Sequence, residues 1–375
     1  MLWNWQLRDW PEFAHDPARL RAFEERFLKG AGIVVGTTQH LNGEARQGMA
    51  IMLMSEEMVE SSAIEGEVLD RASVQSSLAR QLGFAADRRR PSPAEAGAAE
   101  LMADLYRHYA DPLSDRQLFG WHRMLMNGRQ DLAAIGAYRT HAETMQIVSG
   151  ALHAPQVHFE APPSAIVPTE MARFIAWFND SAPQGLAPLP AITRAAIAHL
   201  WFETIHPFED GNGRLGRAIA EKALAQSLEA PTLTALATTI NRNRKAYYAE
   251  LHRASRTNQI DDWLAWFAAI VLEAQARTIA TIQFLIEKTR LLDRLRDRIN
   301  ERQEKILIRM LAEGPDGFTG GLSARNYQTT TDASPATATR DLAELVLLGA
   351  LKRIGERRYA RYYLPFVDAP ETEGA

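Results

Sequence analysis

The chain has 375 residues, 46% of them apolar and 23% charged, enough for two or three domains that each bury a core. Its 42 basic and 46 acidic side chains leave a net charge of −4, so no global field draws it to nucleic acid or to a membrane. It has no cysteine, which excludes disulfides and thiolate metal sites.

The first residues, MLWNWQLRDWPEF, carry charge early and lack an apolar signal-type stretch. No signal peptide is expected, and a cytoplasmic protein is the simplest reading. Trp3, Trp5, Trp10 and Phe13 read as a packing anchor. A helical pattern over 47–63 ends in Ser61-Ser-Ala-Ile-Glu65-Gly66, where the glycine can stop the helix. Taken alone, Glu65 is there a solvated glutamate at a helix end. Arg88-Arg-Arg-Pro-Ser-Pro93 is a charged, proline-broken linker that closes an N-terminal helical region over 1–93. A core domain follows over 94–280. Within it, Gly136-Ala-Tyr-Arg139 precedes Glu143-Thr144-Met145-Gln146-Ile147-Val-Ser-Gly150, which predicts a short strand and a tight reversal at the Ser-Gly pair. The proline-rich stretch His153–Pro168 reads as a loop. Its His153 and His158 lack a set of carboxylate partners, so no metal site is expected there.

The run ITRAAIAHLWFETI (Ile192–Ile205) predicts a largely apolar helix that ends at His206-Pro207. Next comes Phe-Glu209-Asp210-Gly211-Asn212-Gly213-Arg214-Leu-Gly-Arg217, with a second helix beginning near Arg214. Gly211 and Gly213 let the backbone take positive φ and approach a phosphate closely. Orphan N–H groups and the helix dipole favour negative charge at such an N-terminus. Arg214 and Arg217 stand three apart on one helical face, so both can point at a polyphosphate. Out of this setting His206 would read as a helix cap and the arginines as an exposed pair. The glycines lack the spacing and the lysine of a P-loop. Downstream, Tyr247 and Tyr248 are adjacent, so they point to different faces of a helix and one of them belongs to the core. The longest apolar run, Trp263–Leu272, is about half a membrane span. It predicts a buried helix and no membrane partner.

A linker helix is expected over 281–297, and the pattern then changes. A helix over Gln303–Ala312, a short one from about Leu322 and one starting at Pro335 under a Ser334 cap precede two short strands around Gly355-Glu356. Helix, helix, helix, hairpin is a winged helix-turn-helix, placed over 298–367. Arg340 on its last helix and Lys352, Arg353, Arg357, Arg358 and Arg361 on its wing suit DNA and a protein-docking or dimerisation role equally. The acidic tail 368–375 is expected to be disordered.

His206 to Arg217 matches HxFx(D/E)GNGRxxR, the signature of the Fic family, at every specified position. The chain therefore resembles Fic proteins, which transfer a nucleotide monophosphate, usually AMP from ATP, to a protein hydroxyl. The resemblance implies a mainly α fold: a Fic-type helical core with a short β-hairpin flap, plus the C-terminal winged helix. It implies His206 as general base, Asp210 as Mg²⁺ ligand, and Gly211, Asn212 and Gly213 as an anion nest. Asn212 would orient the transferred phosphate while Arg214 and Arg217 hold the phosphate tail. Tyr247 and Tyr248 lie in a segment resembling the one that flanks adenine. Thr144, Met145, Gln146 and Ile147 fall in the flap, whose edge could receive an extended target segment. Ser61 to Gly66 fits the inhibitory pattern [S/T]xxxE[G/N] of regulated relatives, in which the glutamate reaches the second motif arginine. Residues about 47–66 then form an N-terminal inhibitory helix. The implied function is an autoinhibited protein adenylyltransferase using ATP and Mg²⁺, with a hydroxyl-bearing target protein and a homodimeric assembly. Removal of AMP at the same site, with Glu65 positioning water, is the alternative. A non-enzymatic one is a nucleotide-sensing winged-helix DNA-binding regulator.

Overall fold

The structure, a computed structural model, describes residues 2–39, 43–84, 87, 89–149, 156–231, 234–318 and 320–367. Arg88, His153 and the acidic tail 368–375 lie outside them. The protein is mainly helical, and many helix starts follow cap chemistry written in the sequence. After 3₁₀ turns at Asn4–Gln6 and Pro17–Arg19 come α1 (Arg21–Gln39) and α2 (Gly43–Ile64). Next come α3 (Arg71–Gln81), α4 (Pro93–His108) and α5 (Asp115–Leu125), entered through Asp70, Ser92 and Ser114, each accepting a first-turn N–H. Ser92 and Glu95 complete a capping box, with Pro93 at the first helical position. Strands β1 (Gln146–Ser149) and β2 (Gln156–Glu160) pair antiparallel, with Gln146 opposite Glu160 and Ser149 opposite Gln156. Then follow α6 (Val167–Asp180), α7 (Ala191–Ile205), α8 (Asn212–Leu228), α9 (Leu236–Arg242), α10 (Arg244–Ala254) and α11 (Asp261–Leu295).

The chain divides into two compact units, 1–278 and 279–375. In the first, α7 is apolar on nearly every face and so lies in the middle of the core. It packs along α8, while α2 lies against α9 and α3, and α4 against α3 and α5. Trp10 and Phe13 meet Trp201 of α7 edge-on, and the Trp10 indole N–H donates to Glu170 at 2.8 Å. Gly97 lets α4 approach α5: a Cβ there would stand 1.8 Å from the Met124 carbonyl oxygen. Gly97→Ala is therefore expected to force the helices apart, at a cost of about 1–3 kcal/mol. Thermal unfolding should fall by about 2–4 °C per kcal/mol lost.

In the second unit the end of α11 joins α12 (Glu301–Ala312), α13 (Ala324–Thr331), α14 (Pro335–Leu347) and the antiparallel strands β3 (Lys352–Ile354) and β4 (Arg361–Tyr363). Buried Asp341 accepts from Tyr327 Oη at 3.0 Å and Arg302 Nε at 2.9 Å, so its charge is paired.

Five local expectations need correction. No separate linker helix covers 281–297: α11 runs unbroken from Asp261 to Leu295, because no proline or glycine interrupts it. Its first turns bury Trp263, Leu264, Phe267 and Val271 in the first core. Among the described residues it is the helix long and apolar enough to cross a membrane by length and composition. The proline-rich loop contains β2, and the tight reversal expected at the Ser-Gly pair falls at Gly150, outside the described residues. The helix expected from Leu322 begins at Ala324, because Leu322 exchanges backbone bonds of 2.9 Å with Tyr362 and Ser323 supplies the cap. The helix expected near Arg214 begins at Asn212. Gly213, being inside it, does not have positive φ, whereas Gly211 does, at 84°.

Candidate active site

The site is built on the turn between α7 and α8. His206 caps α7 in the left-handed region, φ 50° and ψ 59°, and Pro207 prevents the helix from continuing. A histidine there needs support from outside its own turn. Buried Arg139 provides it. Its Nε donates to the His206 carbonyl at 2.8 Å, its Nη2 to the carbonyls of Pro162 and Ile205, and its Nη1 to Ser164. Its own N–H donates to the Pro207 carbonyl at 3.0 Å. Phe208 is buried and stacks on His122 with centroids 4.2 Å apart. His122 accepts the Gly136 N–H through Nδ1 at 2.8 Å, so its Nε2 is the donor toward the Asp210 carbonyl at 3.2 Å. Burial holds this ring neutral, its pKa lowered to about 4.

Asn212 closes the loop from within. Its Oδ1 accepts the Phe208 N–H at 2.9 Å and its Nδ2 donates to the Phe208 carbonyl at 2.8 Å. These two bonds fix the loop shape and use one of the two Nδ2 hydrogens. The first N–H groups of α8 form the anion-binding end of the helix. Gly213 is required beside them because a Cβ would stand 2.1 Å from Glu65 Oε1 and 3.2 Å from Arg217 Nη1.

Both motif arginines are engaged by carboxylates from the end of α2. Arg217, 2% exposed, donates to Ser61 Oγ at 2.9 Å, to the Ser61 carbonyl at 2.8 Å and to Glu65 Oε1 at 2.8 Å. Its Nη1 is buried with no partner. Arg214 reaches Glu67 Oε2 at 2.6 Å and Asp210 Oδ1 at 3.4 Å. Asp210 also accepts from Arg129 at 2.6 Å and from the Gly211 N–H at 2.5 Å. Burial pushes the Asp210 carboxyl up, but Arg129, Arg214 and the Gly211 N–H hold it below its ordinary value, fully ionised. Sequence reasoning did not single out Glu67 or Arg129. Glu67 follows the inhibitory pattern without belonging to it, and Arg129 looks like any arginine in a surface turn.

A cavity of about 580 Å³ opens over this loop. Glu65, Glu203, His206 and Gly213 line it, together with Arg244, Tyr247, Tyr248 and His252. The flap contributes Ile147 and Val148 from β1 and His158 and Phe159 from β2. Thr144 and Gln146 are exposed beside it, and Met145 packs against Trp3 and Phe159. Both tyrosines line the cavity, and Tyr247 is the one that also belongs to the core. Tyr247 is nevertheless buried and bonded to His199 at 2.8 Å, whereas Tyr248 is 43% exposed and donates to the Ile64 carbonyl at 3.3 Å.

The His206 ring is nearly buried, with Nδ1 turned toward the Glu203 carbonyl at 3.4 Å. Burial and the Arg139 charge lower its pKa to about 4, so at neutral pH it is an uncharged imidazole whose Nε2 can accept a proton. One turn earlier, the Glu203 carboxyl is pushed up to about 8 by burial and by the charge of Glu65, and its Oε1 has no partner. Glu57, buried on α2, is raised well above its ordinary value by burial and by Glu221.

These shifts give stability a definite pH slope. Glu203 binds its proton more tightly folded than unfolded, so its stabilisation is complete below 4.5 and is lost as pH rises through about 8. His206 acts oppositely, its contribution being lost as pH falls from 6.5 through about 4. Between 6.5 and 8 the raised carboxyls dominate, and above about 8 buried Lys222 begins to act in the opposite sense. Glu203→Gln is expected to flatten the decline in unfolding free energy between pH 6.5 and 8 by a few kcal/mol at most. Denaturant titrations across that range measure it, and an unchanged slope would contradict the burial of a neutral carboxyl.

Residues 112–224 match the Fic/DOC family, and residues 3–84 match DUF4172, a domain of unknown function. Over 86 residues, 23% of this chain and 15% of the relative, the sequence is 36% identical to the protein adenylyltransferase fic-1 of Caenorhabditis briggsae. Over 96 residues, 26% of each, it is 30% identical to the probable protein adenylyltransferase aq_aa38 of Aquifex aeolicus. The chain thus aligns with about a quarter or less of these relatives' lengths. The crystal structure of a Fic family protein from Desulfovibrio desulfuricans is similar with a TM-score of 0.53 and 21% identity, covering 94% of this chain and 98% of that one.

Proposed function

Through residues 112–224 the chain belongs to the Fic/DOC family, and on that premise we propose that it is a protein adenylyltransferase held in check by its own α2. The observation that carries this reading is a neutral His206 in the cavity wall beside the N-terminus of α8, with Arg217 bound to Glu65. In the reaction a target hydroxyl oxygen attacks the α-phosphorus of ATP. Its proton passes to His206 Nε2, the bond from the α-phosphorus to the bridging oxygen breaks, and pyrophosphate leaves. The first turn of α8 and the two arginines receive the phosphates. Tyr247, Tyr248 and Phe159 offer aromatic surface to the base.

Mg²⁺ fits Asp210, an ionised carboxylate beside the anion site, and among the described residues no cluster of three His, Asp or Glu side chains competes for it. One protein carboxylate suffices for an ion that otherwise binds phosphates and water, and when bound it would offset phosphate charge. Inhibition follows from occupancy: Glu65 and Glu67 hold the cations that the phosphate tail needs. Removal of AMP is the second reading, supported by Glu65 lining the same cavity as His206.

Label supplied in the α-phosphate of ATP should appear on protein in a Mg²⁺-dependent manner, and label in the γ-phosphate should not. Transfer of the γ-label, or of neither from a Glu65→Gly chain, would overturn the adenylyl-transfer reading.

A further inference from the structure

The residues matching a domain of unknown function begin with Trp3, and their first turn stands against the flap. Trp3 is buried, edge-on to Phe159 of β2 with centroids 5.1 Å apart. Its other side carries the Arg256 guanidinium, 3.2 Å from the ring centroid. The Trp5 indole N–H donates to the Glu160 carbonyl at 2.7 Å. Asn4 ties the turn to the rest of the site: its N–H donates to the Ser255 carbonyl at 2.7 Å and its amide to Thr204 at 3.3 Å, two residues before His206. His252 Nδ1 stands 2.8 Å from the His158 carbonyl.

The carbonyls of His158 and Glu160 lie two apart along β2. The Ala161 N–H donates to the carbonyl of Met145, the residue just ahead of β1, so Glu160 faces the other way, outward from the hairpin. Both carbonyls are therefore on the outer edge of β2, and both are taken by side chains. Gln146, opposite Glu160, likewise turns its backbone outward, and Gln146, Ile147 and Val148 are exposed.

We propose that the turn Trp3–Trp5 is a brace that positions the flap over the cavity and closes its β2 edge, so that the extended acceptor segment which the family resemblance places on the flap can pair only along β1. The inference rests on the adenylyl-transfer reading only for what the acceptor undergoes, not for the brace. Trp3 and Trp5 are positioning residues: they touch the flap, and the flap touches the cavity. Without them β2 keeps its pairing to β1 and its contact with His252 but loses its attachment at Phe159 and Glu160.

The test uses the full chain carrying Glu65→Gly. Trp5→Phe keeps an aromatic ring and removes the donor. It is expected to speed amide exchange about tenfold in peptides covering 144–149 and 156–161, with α7 and α8 unchanged. Self-labelling from α-labelled ATP should fall about tenfold, while the KM for ATP stays within twofold. Gln146→Pro, which removes an outward N–H from β1, should lower self-labelling equally without altering exchange in β2. Unchanged exchange in both Trp5→Phe and Trp3→Ala would overturn the brace. So would an ATP KM that rises in step with the loss of labelling, the mark of general support to the fold. Full labelling in Gln146→Pro would overturn the assignment of β1. If Glu65→Gly labels nothing, the transfer reading fails by itself, because the exchange measurement needs no nucleotide.

Discussion

Alanine in place of His206, in a chain released by Glu65→Gly, is expected to lower adenylyl transfer by about 10²–10⁴-fold, the contribution of a positioned general base. Nucleotide affinity should stay within a few fold, because the phosphates are held by α8 and the arginines rather than by the imidazole. The backbone turn should persist as well. Arg139 holds the carbonyls of Ile205, His206 and Pro207, all of which an alanine retains. The pH profile of kcat/KM in the released enzyme separates a base from a merely structural ring. Burial and the Arg139 charge lower the His206 pKa to about 4, so activity should remain flat well below 6.5 and fail only near 4. An acid limb at the ordinary histidine value would mean the ring is solvated during turnover. Loss of ATP binding in His206→Ala would place the histidine among the binding groups instead.

The second large effect has the opposite sign. Glu65→Gly is expected to raise labelling by about ten- to a hundredfold, the equivalent of a charge-assisted hydrogen bond of about 1.5–3 kcal/mol. Arg217 is 2% exposed and Glu65 31%, so the pair is only partly screened by water. Freed of Glu65, Arg217 keeps both bonds to Ser61, so the variant should fold. Glu67 is more exposed, and its pair with Arg214 is worth about 0–1 kcal/mol. Adding Glu67→Ala should therefore raise labelling only a few fold further. Comparison of the single and double variants for initial rate and ATP affinity checks both steps. Unchanged rates in both would remove α2 from the regulation of this site.

The helices and the motif loop were legible because their signals are local. Ser334 with Pro335 announces a helix start, and the run from His206 to Arg217 carries its chemistry in adjacent residues. The missed parts depend on distant segments meeting. Arg129 reaches Asp210 across 81 positions, and Glu67 reaches Arg214 across 147. Asn212 also clasps its own backbone at Phe208, a pairing that only the folded geometry reveals. Gly213 was expected to supply positive φ. Its actual requirement is room for Glu65, a partner encoded far upstream.

The plugged edge of β2 has a consequence for the protein in crowded solution. A ribbon exposing Ile147, Val148 and Val157 is a template for strand pairing with other copies. With both margins open it would have a valence of two, and copies could add end on end without limit. With indole and imidazole seated on the carbonyls of one margin, its valence is one. A chain of ribbons needs two open margins on each copy, so end-on-end addition at the flap is blocked.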